Sequence, residues 1–387
     1  MTPSLLIAGL AFVIWIYLIL FRGGFWLARE RDDRNQPAPP ADTEWPSLGV
    51  VIPARNEVAM LPRSLESLLA QNYPGKLFIV AVDDESSDGT GQAARMVANN
   101  ARREVVVLDG EPLPAAWTGK VWTMHKGITH AETIENPPDY LLLTDADIDY
   151  ASGAVVRLVA RAKAAGNVLT SLMVKLNCES LPERALIPAF VFFFQMLYPF
   201  AWVNRRAAKT AAAAGGCMLV ERRVLQRAGG IAKIRDALID DCALAKLMKA
   251  EGRIWLGLGT DVRSLRSYRH IGDVRRMVAR SAYAQLNYSR PLLAVTTVAM
   301  ILTYLAAPVL AIFASYPANA VAAAAWALMT FVFLPILHFY RVSPLWAAAL
   351  PLIAAVYLAF TLDSAYQHWR GKGGIWKGRS QTLAVKR

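Results

Sequence analysis

The stretches LGVVIPARNE (Leu48–Glu57) and LFIVAVDDESSDGT (Leu77–Thr90) decide the fold. Each opens as a continuous β-branched apolar run and then breaks into charged and small residues. Short apolar runs of this kind mark strands buried on both faces. Between them Leu61, Leu65, Leu68 and Leu69 recur at helical spacing, and Val105–Leu108 and Tyr140–Thr144 read as two further strands. A helix over 152–165 follows the second of these. Strand, helix, strand in this order predicts an α/β domain with a parallel sheet and right-handed crossovers. Ligands of such sheets gather at the carboxyl ends of the strands, which directs attention to loops 54–57, 83–90 and 145–149.

The third loop, LLLTDADIDY (Leu141–Tyr150), places Asp145 and Asp147 on the same side of an extended chain. Two carboxylates at a ligand edge suit a hard divalent cation, Mg2+ or Mn2+, completed by water and phosphate oxygens. Such an ion would neutralise a departing diphosphate. Each loop also has a plainer reading, since Ser and Asp at strand ends commonly cap the next helix. The sequence holds no GxGxxG and no GxxxxGK[ST], which argues against dinucleotide oxidoreductases and P-loop enzymes. Cys178, Cys217 and Cys242 form no CxxC pair and the histidines are scattered, so neither a zinc site nor a disulfide scaffold is expected.

Composition adds a membrane. Of 387 residues, 55% are hydrophobic and only 19% charged, with 42 Lys+Arg against 30 Asp+Glu for a net charge of +12. The apolar excess lies at the ends. Met1–Phe21 carries no charge and is followed by Arg22, Arg29, Arg31 and Arg34. A cleavable leader would place its charge first, so residues 1–28 are expected to be an uncleaved anchor. By the positive-inside rule its amino end faces outward and the domain is cytoplasmic. Residues 29–45, with the Pro-rich QPAPPAD (Gln36–Asp42), are expected to be a linker.

Between residues 291 and 364 three apolar segments follow, 292–316, 318–340 and 344–362, with a basic tail over 365–387. Three crossings would put that tail outside, against the rule, so the Pro351-interrupted last segment is expected to re-enter or lie flat. A bundle of two to three helices results. The run LIPAFVFFFQMLYPFAWV, about 186–203, is expected to be an interfacial helix, with a buried core helix as the alternative. A crossing there would part the carboxylates at 145–147 from those at 240–241. The arginines 263, 266, 269, 275, 276, 280 and 290 run into a span and point to lipid head groups, the membrane bilayer being a partner and nucleic acid not.

Taken together, the three loops in this order and spacing closely resemble the family 2 glycosyltransferases, whose soluble part is a GT-A-type, Rossmann-like nucleotide-sugar domain. The resemblance runs from about Leu48 to Arg290, and the domain is expected over 46–290. It implies that Pro53, Arg55 and Glu57 line the nucleotide pocket and that Asp84 faces the base. It implies that Asp145 and Asp147 hold the metal ion beneath the diphosphate. WTGK (Trp117–Lys120) resembles the motif that places Lys120 near the donor phosphates. GGCMLVERR (Gly215–Arg223) resembles the turn that sets Gly215 and Gly216 beside the donor sugar, and IDDCALAKL (Ile239–Leu247) the acidic base motif.

Processive members carry QxxRW, whereas RRMVARSAYAQLNYS (Arg275–Ser289) has only Arg280 to stand for its arginine, toward acceptor or diphosphate. Processive polymerisation is thereby disfavoured. The anchor, WTGK, TDADIDY and C-terminal bundle resemble the hopanoid-biosynthesis-associated membrane glycosyltransferases.

The function expected is metal-dependent, inverting transfer of a sugar from a UDP-sugar to a lipid acceptor such as a hopanoid. The rivals are a nucleotidyl- or phosphoryl-transferase using the same metal pair and a non-catalytic membrane scaffold. Helical spacing separates Asp240 from Asp241. Asp241 shares the inward stripe of Leu244, Leu247 and Met248 and is expected to be the base, as in the family pattern; Asp240 is expected to be the helix N-cap.

Overall fold

Leu48, Val50, Val51 and Ile52 are all fully buried in β1 (Leu48–Ala54), the strand from which the sheet grows in both directions. The computed structural model describes residues 2–36, 45–377 and 379–380. After β1 come β2 (Leu77–Asp83), β3 (Val105–Asp109), β4 (Tyr140–Thr144), β5 (Ile148–Tyr150), β6 (Asn167–Lys175), β7 (Cys217–Glu221) and β8 (Arg253–Ser264). They form one sheet in the order β3-β2-β1-β4-β7-β6-β8-β5.

The first four strands in that order are parallel, as their unbroken apolar runs predict. Beyond β4 the sheet is mixed: β7 is antiparallel to β4 and to β6, and β5 is antiparallel to β8. This reversal has a use. Because β7 runs backward, its first residue Cys217 pairs with Thr144, the last residue of β4, and Gly215–Gly216 arrive at the carboxyl edge.

Helices cover both faces of the sheet. Leu48, Val50, Ile52 and Ala54 share a core with Leu61, Leu65 and Leu68 of helix Leu61–Leu69 and Val155, Leu158 and Val159 of helix Ala154–Ala165. Each such leucine, fully removed from water, contributes about 1.5–3 kcal/mol. Val51 and Val82 face the other way, against helix Gly119–Thr133. Along β1 the pairing with β4 stops at Val51–Leu143, while that with β2 continues to Ala54–Asp83. Pro53, which has no N–H to donate, stands where β4 has already let go. The sheet therefore opens between β1 and β4, where the strand order reverses and such folds bind ligands.

The chain divides into two units, each taken by itself. The sheet unit comprises 29–177, 202–267 and 375–387; the helical unit comprises 1–28, 178–201 and 268–374. Within the soluble domain expected as one block over 46–290, the sheet unit is interrupted by 178–201 and stops at 267. Residues 29–36, expected as linker, belong to the sheet unit. Arg31 bridges to Leu258, and the buried Asp32 carboxylate accepts hydrogen bonds from the Thr260 backbone N–H and hydroxyl at 2.7–3.0 Å. Most of the Pro-rich stretch (37–44) and the end of the basic tail (381–387) lie outside the described residues.

In the helical unit, three helices are long and apolar enough to cross a membrane: Pro3–Phe21, Arg290–Phe313 and Ala318–Tyr340. The last apolar segment forms helix Leu350–Trp369, displaced from the expected 344–362 and carrying Asp363, which pairs with Arg275 at 2.8 Å. The phenylalanine-rich run forms helix Leu181–Leu197, started by a capping box between Ser180 and Glu183. Its Phe192 ring packs against Phe25 and Phe333, and the Tyr357 hydroxyl donates to the Leu186 carbonyl at 2.8 Å. The run lies buried among helices of its own unit, and Pro188 and Gln195 are both buried with it.

Gly127 is the tightest contact between helix and sheet under the opening. A Cβ there would stand 2.5 Å from Val51 Cγ1 and 3.1 Å from Val82 Cγ2. Gly127→Val is expected to destabilise the protein by about 2 kcal/mol, within the range for overpacked cores. Thermal unfolding should show a lowered midpoint, whereas the same measurement on Thr129→Val, at an exposed position of that helix, should show little change.

Candidate active site

The loops after β1 and β2 are stitched together by their own backbones. Asp84 N–H donates to the Ala54 carbonyl at 2.8 Å, Asn56 N–H to the Ser86 hydroxyl at 2.9 Å and Glu57 N–H to the Thr90 hydroxyl at 2.8 Å. Ser87 N–H closes the set on the Asn56 side chain at 2.9 Å. Ser86, Ser87, Asp88 and Thr90 thus serve as adaptors between loops, which is why that stretch is rich in small hydroxyl residues. Arg55 lies across the seam. Its guanidinium donates to the Asp84 carbonyl and stands 3.4 Å from the Asp84 carboxylate, itself only 1% exposed.

At the next strand end, Lys120 reaches from the first turn of its helix to Asp145, 2.8 Å away, and to Asp240, 3.3 Å away. Burial alone would lower the lysine's pKa, but Asp145, Asp240 and Asp241 outweigh it and hold the ammonium charged. Asp241 accepts from Gly215 N–H at 3.0 Å and from Cys242 N–H at 2.7 Å. Loss of water and the neighbouring Asp240 push its pKa up to about 6. Space is tight at Gly215: a Cβ there would stand 3.1 Å from Lys120 Nζ and 3.5 Å from Asp241 Oδ2. Gly216 has a different duty. It is buried, its carbonyl accepts from the Thr144 hydroxyl at 2.8 Å, and a Cβ would meet Val174 at 3.1 Å.

Asp147 is buried and faces Arg266, whose Nε donates to its Oδ2 at 2.8 Å while Nη2 donates to Glu57 at 2.6 Å. Desolvation, and then the charge of Asp145, raise the pKa of Asp147. Glu57 is raised by desolvation too, against the pull of Arg266 and Lys377. Arg266 arrives here because β5 pairs antiparallel with β8, so the chain leaving β8 passes the start of β5. Leu265 N–H donates to the Asp147 carbonyl at 2.7 Å and fixes that approach.

Of the expected site residues, Arg55, Glu57, Asp84, Lys120, Asp145, Asp147, Gly215 and Asp241 converge on the carboxyl edge of the sheet. Pro53 lies beneath them within β1. Arg280 belongs to the helical unit, at the C-cap of helix Ile271–Ala279. Two expectations need correction. Asp240 is not an N-cap: the helix begins at Asp240 with Ile239 before it and no side-chain cap, and Asp240 turns inward to Lys120. Pairing with a buried ammonium outcompetes capping of exposed amides.

Nor is the arginine cluster uniformly a membrane-facing surface. Arg266 serves the carboxylates, Arg275 pairs with Asp363 and Arg276 with Asp273. Arg266 and Lys377 are the site residues that sequence reasoning missed; both lie far along the chain from the acids they neutralise.

Within this network six carboxylates (Glu57, Asp84, Asp145, Asp147, Asp240, Asp241) face four cations (Arg55, Lys120, Arg266, Lys377), an excess of two negative charges. Glu57 Oε2 is buried without a hydrogen-bond partner among the described residues, and Asp240 Oδ2, also buried, is met only by the Lys120 ammonium at 3.3 Å. Unmatched buried carboxylate oxygens are costly unless a ligand or ion answers them. A divalent cation fits that deficit, with Asp145 and Asp147 as its holders. No cluster of three or more metal-ligating side chains occurs among the described residues, so the remaining ligands would be water and phosphate oxygens.

Residues 49–229 match the sequence model of Glycosyl transferase family 2. The curated relatives include the 4,4'-diaponeurosporenoate glycosyltransferases of Staphylococcus haemolyticus, 29% identical over 30% of this chain and 29% of that protein, and of Staphylococcus aureus (strain bovine RF122 / ET3-1), 31% identical over 27% and 24%. The chain thus spans less than a third of the length of these relatives. A mannosyltransferase from Pyrobaculum calidifontis, solved in complex with GDP-Man and Mn2+, shares the fold at a TM-score of 0.61 and 19% identity, over 94% of this chain and 99% of that one. Residues 49–229, just under half of the chain, thus match the family 2 glycosyltransferase model and carry a mixed sheet of GT-A-like fold.

Proposed function

We propose that the protein is a membrane-anchored, metal-dependent inverting glycosyltransferase that moves a sugar from a UDP-sugar to the hydroxyl of a lipid acceptor, a hopanoid being the candidate lipid. The observation that carries this reading is the placing of Asp241: a carboxylate with its pKa near 6 beside Gly215, one lysine away from Asp145. The acceptor oxygen attacks the anomeric carbon while the bond from that carbon to the diphosphate oxygen breaks. The electron pair leaves with the nucleoside diphosphate, and the hydroxyl proton passes to Asp241. A base with a pKa just under neutral is unprotonated in the cell yet strong enough to take that proton. Lys120 and Arg266 orient Asp145 and Asp147, which would hold Mg2+ or Mn2+; the ion would supply charge neutralisation to the leaving diphosphate.

A lipid acceptor is supported by the curated relatives' names, in which diaponeurosporenoate is lipid-like, and by the three helices fit to cross a membrane. The domain faces the cytoplasm of the bacterial inner membrane on the strength of Arg22, Arg29, Arg31 and Arg34 after the first helix.

Full-length protein incubated with labelled UDP- and GDP-sugars and a total lipid extract should release nucleoside diphosphate and label the lipid. Pyrophosphate or a phosphorylated lipid would overturn the reading. The pH profile of kcat/KM should fall below about pH 6, since Asp241 acts only when deprotonated. Asp241→Asn should lose this limb and about 10²-fold or more of the rate, with donor binding intact.

Chelator should abolish turnover in the wild type. Mn2+ should raise the unfolding midpoint of the wild type but not of an Asp145→Ala, Asp147→Ala double variant; equal shifts would exclude this pair as the metal site. A tag inserted within 36–42 should be protected from protease added outside intact cells, and digestion there would reverse the orientation.

A further inference from the structure

Residues Ile375–Trp376 and Arg379–Ser380 pair as a small antiparallel hairpin, Trp376 opposite Arg379, and Lys377 stands at its tip, next to Trp376. The tip lies far outside the span 49–229 that matches the family. It is nevertheless bound to the first three residues of the loop after β1. The Lys377 ammonium stands 2.8 Å from Glu57 Oε1 and donates to the Asn56 carbonyl at 3.2 Å. The Lys377 carbonyl accepts from Arg55 Nε at 3.2 Å.

We propose that Lys377 is a positioning residue of the donor site, which fixes Arg55 and Glu57 and offers its remaining N–H to an oxygen of the donor's nucleoside. The proposal rests on the nucleotide-sugar reading given above. Three features separate this role from incidental packing. First, Lys377 is in the left-handed region at φ +48°, where a non-glycine side chain is rarely found unless its surroundings fix it. Asn56 and Glu85, on the two loops that Arg55 joins, adopt φ +51° and +49°. Left-handed residues thus recur in the three segments that meet at Arg55.

Second, an ammonium has three donors, and Glu57 and Asn56 use two. Among the described residues the ammonium has no third partner, and at 26% exposure the side chain is within reach of a ligand. Third, the contacts stop at the nucleotide end. Asp145, at the transfer end, stays 36% exposed, so the hairpin lines the pocket instead of filling it.

The test has two arms on full-length protein. In the first, trypsin cleavage after Lys377 should be slow in the wild type and faster in Glu57→Gln; rapid cleavage of the wild type would show an undocked hairpin and overturn the proposal while leaving the glycosyltransferase reading standing. In the second, titration with UDP-glucose and with GDP-mannose, each in Mn2+, should give about tenfold weaker binding for Lys377→Ala, as loss of a charge-assisted hydrogen bond implies. Lys377→Arg should restore most of it, and the unfolding midpoint of all three proteins should agree.

Unchanged affinity in Lys377→Ala would overturn the proposal. Tighter binding would do so too, by making the hairpin a plug. If the wild type binds neither probe, the donor reading itself fails and the role of Lys377 with it, an outcome told apart by trypsin protection, which needs no nucleotide.

Discussion

An excess of buried negative charge at the carboxyl edge of the sheet is the condition on which the rest of this site depends. Six carboxylates are drawn together by strand geometry, and Lys120 and Arg266 each hold two of them. Without those bridges, desolvation would protonate the buried acids. With them, Glu57 Oε2 still lies buried without a hydrogen-bond partner among the described residues, and the acids outnumber the cations by two. On the proposed reading, this negative excess is what draws a cation to the pocket and, through it, a diphosphate.

The sheet topology delivers this concentration of charge. Parallel strands β1, β2 and β4 end at the same edge, so their loops meet. The reversed β7 brings Gly215 to the same place, and Asp241 is reached through the Gly215 amide at 3.0 Å. Pro53 marks where β1 and β4 separate. Small residues recur at the site for want of room, Gly215 beside Lys120 and Gly127 beneath Val51 being the plainest cases. Rigid packing below the edge and ion pairs above it together fix carboxylates that would otherwise repel one another.

Much of this was legible in the sequence because it is local. β1, β2, β3 and β4 announce themselves by unbroken apolar runs, and the acids follow directly on strands, so their position at the edge is implied by chain direction. The Asp240 cap was misjudged because helical spacing gives azimuth around one axis and says nothing of a lysine over a hundred residues away. Arg266 was hidden among other arginines; only the β5–β8 pairing distinguishes it. Lys377 was hidden in the same way in a basic tail. The antiparallel half of the sheet was equally illegible, since continuous burial of β6 and β7 looks alike in either direction.

The division of labour among the acids has a stereochemical consequence. On the proposed reading Asp241 is the base while the other acids are engaged by Arg55, Lys120 or Arg266, which implies a single displacement at the anomeric carbon. The most direct measurement is the anomeric configuration of the product, read by NMR of the purified glycolipid against that of the donor. Inversion at the anomeric carbon is the expected result. A product of retained configuration would contradict a one-step transfer with Asp241 as base.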